Sequence, residues 1–235
     1  MVEKGPKPPL SKAEISEGYD EVAEQIRLSP GFYRAVCRFA VRVEPPVLDI
    51  GCGGGHLLLH LKEAFGLGAS QLYGIDLSAR LCTLSAERQV AAIVQGDAER
   101  LPFKARSFRT VFLTEVLEHL LQPERCFAEI KRVLTDDGLA LVTVPNLDWP
   151  GYAAYLKRRR QFQPVDDRFY RLAEMEELAH QAGFAVARVG GFDLIWHGGD
   201  FWKVLEWGLR QIMPGLHTKQ KRLLLALHKS TRVLP

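Results

Sequence analysis

The residues with chemistry to offer are a run of acids and one glycine-rich turn. Val47-Leu48-Asp49-Ile50 is a short apolar run that empties into Gly51-Cys52-Gly53-Gly54-Gly55-His56, and an apolar segment from Leu57 to Phe65 follows at once. That order predicts strand, tight turn and helix. Glycine suits such a turn because a residue without Cβ takes positive φ freely and lets a ligand reach the backbone amides. The unpaired N–H groups and positive dipole at the start of the following helix favour an anionic group. The turn therefore reads as a floor for a ligand. Further acids follow at Asp76, Asp97 and Glu115, with Glu118 and His119 just beyond. An ionised carboxylate is acceptor-only, which fits it to receive hydroxyl or amine donors.

Strands alternating with helices must position these residues. Gln71 to Ser78 reads as a second strand carrying Asp76 near its end, and Ala91 to Gln95 as a third, followed by Asp97. Phe108 to Thr114 is a fourth strand running into Glu115, Pro123 to Val133 a helix, and Asp136-Asp137-Gly138 a turn. Leu139 to Val144 is then a fifth strand opening at Pro145-Asn146, where Asn146 stands as an acceptor contact or a turn residue. Ala173 to Ala182 is a helix closed by Gly183, and Phe184 to Val189 a sixth strand. This alternation predicts an α/β fold whose sheet is largely parallel. In such a sheet ligands sit beyond the carboxyl ends of the strands, where the acids are. Upstream, Ser11-Lys12-Ala13-Glu14 is a capping box that starts a helix through Ile15, Tyr19, Val22 and Ile26, stopping near Ser29-Pro30. A second helix spans Phe32 to Val41. Downstream, Phe201 to Met213 has a tryptophan-bearing helical pattern, and Leu223 to Leu227 is either a last antiparallel strand or a helix.

Spacing within the glycine turn separates two ligand classes. Gly51, Gly53 and Gly55 give G-x-G-x-G, and His56 stands where the dinucleotide fingerprint G-x-G-x-x-G needs its last glycine. Asp49-x-Gly51-x-Gly53-x-Gly55 resembles instead the first motif of the class I S-adenosylmethionine-dependent methyltransferases, in the type 11-like group. Gly96-Asp97-Ala98-Glu99-Arg100-Leu101-Pro102-Phe103 is similar to that family's segment G-D-A-x-x-L-P-F, and the resemblance runs from about Val47 to Val189. It implies a Rossmann-like doubly wound sheet, mostly parallel with an antiparallel last strand, and helices on both faces. It also implies a single methyltransferase domain over 1–235: a helical cover (1–45), a cofactor-binding core (46–146), a lid insertion (147–170) and a C-terminal part (171–235).

The cofactor implied is S-adenosyl-L-methionine, held by Asp49, Gly51, Cys52, Gly53, Gly55, Asp76, Leu77, Asp97, Ala98 and Glu115. Asp76 would accept from the vicinal ribose hydroxyls. Asp97 and the N–H of Ala98 would meet the adenine amine and a ring nitrogen, against an apolar wall of Leu101-Pro102-Phe103. Tyr19 resembles an aromatic that lies over the cofactor in related enzymes, and core packing is its plainer role.

Glu115, Glu118 and His119, spaced i, i+3, i+4, are expected on one helix face beside the methionyl end. One reading makes His119 the general base of an acceptor pocket. Another likens E-x-x-E-H to the metal-binding helix of small-RNA 2′-O-methyltransferases and of some quinone-pathway O-methyltransferases. There the chain departs from the pattern, offering aspartates at Asp166-Asp167 where that family has a further histidine, so no metal ligand is assigned. The plainest reading has these residues capping and solvating a helix. Methyl transfer from a sulfonium is an in-line displacement that needs aligned reactants more than a covalent intermediate, so no catalytic triad is required. The activity expected is methyl transfer to a small acceptor, apolar or aromatic given the Trp and Phe residues flanking the core. RNA 2′-O-methylation and non-catalytic cofactor binding are the alternatives.

Composition narrows the partners. The chain has 235 residues, 47% hydrophobic and 25% charged, enough for a well-buried domain. A net charge of +3 is too small to argue for nucleic acid by itself, and nucleic acid is not the expected partner. The 4 cysteines, Cys37, Cys52, Cys82 and Cys126, are scattered without C-x-x-C, so neither zinc nor a disulfide framework is indicated and a reducing cytoplasm is the expected compartment. The N-terminal stretch lacks the apolar core of a signal peptide, and no run has membrane-spanning length. Tyr152, Tyr155 and Phe162 around Lys157-Arg158-Arg159-Arg160 could meet phosphates or an anionic membrane surface peripherally, or form a solvated helix face. Oligomeric state is not legible.

Overall fold

A mostly parallel sheet forms from the apolar runs expected to be strands. The computed structural model describes residues 10–26, 28–40, 42–149, 168–192 and 222–229. Helices α1 (Lys12–Val22) and α2 (Pro30–Phe39) lead into β1 (Val47–Ile50), α3 (His56–Phe65), β2 (Leu72–Asp76), α4 (Ala79–Ala86) and β3 (Ala92–Gln95). Then come β4 (Phe108–Thr114), α5 (Pro123–Val133), β5 (Leu134–Pro145), α6 (Leu172–Gln181), β6 (Phe184–Phe192) and β7 (Arg222–Lys229). The strand order is β3-β2-β1-β4-β5-β7-β6. β1 to β5 pair in parallel, and β7 runs antiparallel to both β5 and β6. This is the Rossmann-like architecture, and the order reverses beside β1.

Burial explains the layers. Every residue of β1 is buried, Asp49 included, as befits the centre of a sheet covered on both faces. One face packs on α5 and α6 through Cys126, Phe127, Ile130, Val133, Met175 and Ala179. The other packs on α2 and α3 through Phe32, Val36, Leu57, Leu58 and Leu61. Each Val, Leu, Ile, Phe or Met among them contributes roughly 1.5–3 kcal/mol when withdrawn from water. The Leu223-Leu227 run, ambiguous by pattern, is a strand because it lies between β5 and β6 and is covered on both sides.

Element ends differ from the pattern where local chemistry competes. The Ser11–Glu14 capping box forms, but α1 ends at Val22, short of Ile26. α2 begins earlier than expected because Pro30 occupies its first turn, with Ser29 Oγ accepting from Phe32 N at 3.2 Å. Asp136-Asp137-Gly138 falls inside β5, where the pairing with β4 jumps from Phe108↔Leu134 to Thr110↔Leu139 and both acids stay exposed. The lid proper with its basic and aromatic residues, the helix expected over Phe201 to Met213 and the N-terminal arm before Leu10 lie outside the described residues.

Candidate functional site

The glycine turn is built as its composition demands. Gly51, Gly53 and Gly55 have φ of 69°, 51° and 76°. Gly51 N and Cys52 N donate to Ile75 O at 2.7 and 3.0 Å, which ties the turn to the end of β2. A Cβ on Gly51 would overlap the Val116 side chain, so the segment after β4 presses directly on the turn. A Cβ on Gly53 would meet nothing within 4 Å, so the backbone there is bare toward open space. Gly55 does a different job from the one expected. It is absent from the cleft wall, and its missing Cβ makes room for Ser85 of α4.

A cleft of about 1230 Å³, including solvent at its mouth, lies over the carboxyl ends of β1, β2 and β4. Asp49, Gly51, Cys52, Gly53, Asp76, Leu77, Asp97, Ala98, Glu115 and His119 all line it. Burial and then the Asp49 charge push the Cys52 thiol well up, so this cysteine packs and is no thiolate nucleophile.

Asp76 sits at the tip of β2 with its carboxylate held by the backbone. Oδ2 accepts from Gly53 N at 2.8 Å and Oδ1 from Ser78 N at 3.0 Å. Burial raises its pKa, and these N–H groups oppose the rise. Asp49 has no such relief. It is 1% exposed, and its Oδ1 has no hydrogen-bond partner. Burial first, and then the Asp76 charge, hold its pKa well above the carboxylate range.

A raised folded-state pKa means that the native form retains a proton the unfolded chain has lost. Stability attributable to Asp49 therefore falls as pH climbs above about 4, the unfolded value, toward the folded pKa. Asp49→Asn is expected to gain stability over the parent at about pH 8 and to match it near about pH 4, read from urea midpoints at both. A constant difference across that range would contradict the assignment.

Helix α1 lies along the side of the cleft formed by the ends of β2 and β3 and supplies Lys12, Ile15 and Tyr19 to its wall. Ser16 Oγ donates to Leu77 O at 3.0 Å, Ser78 Oγ donates to Asp20, and Asp20 Oδ1 accepts from Arg80 N at 3.0 Å. An acid of α1 thus sits at the N-terminus of α4, where the dipole favours it. Lys12 pairs with Asp97 and Glu99. On the far side Tyr33 lines the cleft, its hydroxyl accepting from Leu28 N at 3.2 Å and its pKa pushed up to about 12, chiefly by burial.

The helix face expected for Glu115, Glu118 and His119 does not form. Glu115 has φ of 55°, outside any right-handed helix, and only Leu117–His119 make a short 3-10 turn. The cause is the sharp exit from β4, where Glu115 N donates to both Thr143 O and Thr143 Oγ1 at 3.2 Å. Glu115 Oε2 accepts from Arg222 Nε at 2.8 Å and Oε1 from Thr143 Oγ1 at 3.2 Å. Glu118 is 1% exposed and does not line the cleft. His119 does line it, its ring 5.9 Å from that of Tyr19 in a T-shaped contact. Among the described residues no three His, Cys, Asp or Glu side chains are arranged to hold a metal. The E-x-x-E-H resemblance thus lacks its geometry here.

Residues 48–142 match the family described as a methyltransferase domain. They are a methyltransferase domain of the S-adenosylmethionine-dependent class. An uncharacterized protein of Methanocaldococcus jannaschii is 29% identical over 212 residues, covering 78% of this chain and 81% of that one. The malonyl-[acyl-carrier protein] O-methyltransferase of Geobacter sulfurreducens is 38% identical over 106 residues, covering 43% of this chain and 39% of its own. Among solved structures, a chain of the complex formed by the Haloferax volcanii Trm112 methyltransferase activator aligns with a TM-score of 0.70 at 20% identity, over 94% of this chain and 100% of that one. The methyltransferase domain therefore carries its family's fold well beyond the stretch that matches by sequence.

What sequence reasoning missed around the methyltransferase domain is the set of long-range partners: Lys12, Ser16 and Asp20 from α1, and Arg222 from β7. The capping box marked α1 as a helix. Nothing in the spacing said which groups 58 to 107 residues away it and β7 would meet.

Proposed function

We propose that this chain transfers the methyl group of S-adenosylmethionine to a small acceptor with an apolar or aromatic body. The observation that carries the reading is Asp49, a buried carboxylate oxygen without a partner at the wall of a cleft that also presents bare glycine backbone and strand-end acids. An orphaned acceptor of that kind calls for a cationic donor, and the α-ammonium of the methionyl group is one. Asp76 would take the ribose hydroxyls at the tip of β2. Asp97 and Ala98 would take the adenine, and the open face at Gly53 would lie against the chain joining them. The bound sulfonium supplies an activated methyl group. The residues of this chain bind it, exclude water and hold an acceptor in line, so that positioning does much of the work.

The acceptor side of the reading rests on the wall: Ile15, Tyr19, Ile26, Leu28, Tyr33 and Leu120 outnumber the polar groups outside the cofactor's reach. The Geobacter relative is named for a malonyl carrier protein, whereas a Haemonchus contortus structure aligning with a TM-score of 0.62 is a phosphoethanolamine methyltransferase bound to S-adenosylhomocysteine. Relatives so different in acceptor do not choose one for this chain.

We assign to His119, which lines the cleft beside Tyr19, the role of base for a hydroxyl acceptor. With labelled S-adenosylmethionine and a panel of phenols, amines, acyl esters and RNA, methyl should pass to an apolar or phenolic member. His119→Ala should then lower turnover by about a hundredfold while S-adenosylhomocysteine binds as before. Transfer to RNA or to polar amines alone, or an unchanged turnover in the variant, would overturn the corresponding part of the reading.

A further inference from the structure

Lys12 opens α1 and reaches across the cleft wall to two acids. Its Nζ lies 3.0 Å from Asp97 Oδ1 and 2.8 Å from Glu99 Oε1. The Glu99 side chain is 6% exposed, and its Oε1 also accepts from Gln122 N at 2.9 Å. Glu99 N in turn donates to Asp97 Oδ1 at 2.9 Å. Two carboxylates are thus held side by side, bridged by one ammonium and by backbone donors.

The two oxygens of Asp97 are consequently unequal. Oδ1 takes both Lys12 Nζ and Glu99 N, whereas Oδ2 takes no hydrogen bond from any described residue. The side chain is 32% exposed and lines the cleft beside Ala98.

We propose that Lys12 is a positioning residue that sets the base preference of the nucleoside pocket. By engaging Asp97 Oδ1 it leaves Oδ2 as the acceptor offered to the ligand, which selects a base bearing an amine over one bearing a carbonyl at the same position. This rests on reading Asp97 as the partner of adenine. The terminal torsion of an aspartate is soft and roughly two-fold, so an untethered carboxylate can swing. Two donors on one oxygen fix its plane. A carbonyl base placed against Oδ2 sets acceptor against acceptor, and sites built on such a bond reject the wrong partner strongly. Without Lys12 the Asp97 and Glu99 charges face each other with backbone donors alone, which turns Asp97 from its orientation.

The seat of α1 does not depend on this lysine alone. Ser16 on Leu77 O and Asp20 on Ser78 and Arg80 anchor the helix independently. Substitution at Lys12 therefore probes the pairing with Asp97.

The test titrates the full chain with S-adenosylhomocysteine and with S-inosylhomocysteine, which carries a carbonyl in place of the amine. The parent should prefer the adenosyl compound by about a hundredfold, less than the discrimination of fully enclosed sites because Asp97 is partly exposed. Lys12→Met should cut that preference by about tenfold, chiefly by weakening the adenosyl compound, and Lys12→Arg should keep most of it. Unchanged circular dichroism and unfolding midpoint would show that the variants fold. Equal weakening of both ligands in Lys12→Met would mean that Lys12 merely seats α1, and would overturn the proposal. An unchanged preference in Lys12→Met, with the preference lost in Asp97→Ala, would overturn the role of Lys12 and leave the adenine reading standing. An unchanged preference in Asp97→Ala itself would overturn both.

Discussion

Asp76→Ala should raise the dissociation constant for S-adenosylhomocysteine by at least about a hundredfold, the largest effect of any single change in the cleft. The carboxylate stands at the tip of β2 with each oxygen already oriented, by Gly53 N at 2.8 Å and by Ser78 N at 3.0 Å. Each oxygen keeps a further lone pair, so the group can accept two ribose hydroxyls without giving up its tethers. A hydrogen bond to a charged group is worth about 1.5–3 kcal/mol, so losing a pair costs about 3–6 kcal/mol of binding. The alanine variant also leaves Gly53 N without its acceptor, which loosens the turn that faces the ligand. Asp76→Asn separates these effects: it retains acceptor oxygen but loses charge, and should fall between parent and alanine. Calorimetric titration of the three proteins reads the series. Equal affinities for parent and alanine variant would remove Asp76 from the site.

The second large effect concerns stability. Arg222→Met should destabilise the fold by about 3–5 kcal/mol, because it leaves the Glu115 carboxylate buried without its cation. Arg222 and Glu115 are 8% and 9% exposed, and their side chains meet at 2.8 Å across 107 residues of sequence. The guanidinium also lies 5.2 Å over the Phe32 ring, so β7, β4 and α2 converge on it. Against a typical total of about 5–15 kcal/mol, that loss is large. Pairing Arg222→Met with Glu115→Gln should recover much of it, since the penalty comes from the stranded charge. Urea denaturation should show a lower midpoint at constant slope for the single variant and partial return for the double. A loss below about 1 kcal/mol would mean that the pair is solvated like a surface bridge.

These two residues also mark what could and could not be read along the chain. Asp76 was legible because a strand-end acid behind a glycine turn is a local pattern with a physical cause. The sheet was legible for the same reason: Val47 to Ile50, Phe108 to Thr114 and Leu139 to Val144 are apolar runs bounded by turn residues. Arg222 was not legible. Its role depends on β7 running antiparallel between β5 and β6, and a five-residue run of Leu and Ala fits strand or helix equally. Glu115 misled for a related reason. Its i, i+3, i+4 spacing with Glu118 and His119 is helical in the sequence, but the tertiary bonds to Thr143 and Arg222 turn the backbone to positive φ before a helix can start. Gly55 shows the converse, a motif position that lies off the cleft wall and whose missing Cβ makes room for Ser85. The acids of the site come from local motifs, whereas the cations that pair with Asp97 and Glu115, Lys12 and Arg222, come from distant segments.

Isothermal titration of the purified chain with S-adenosylhomocysteine, at two temperatures and in two buffers of different ionisation enthalpy, bears most directly on the whole account. One saturable site, with protons released as Asp49 ionises against the ligand's ammonium, is the result predicted. No heat at either temperature, together with no shift in the unfolding midpoint at saturating ligand, would contradict it.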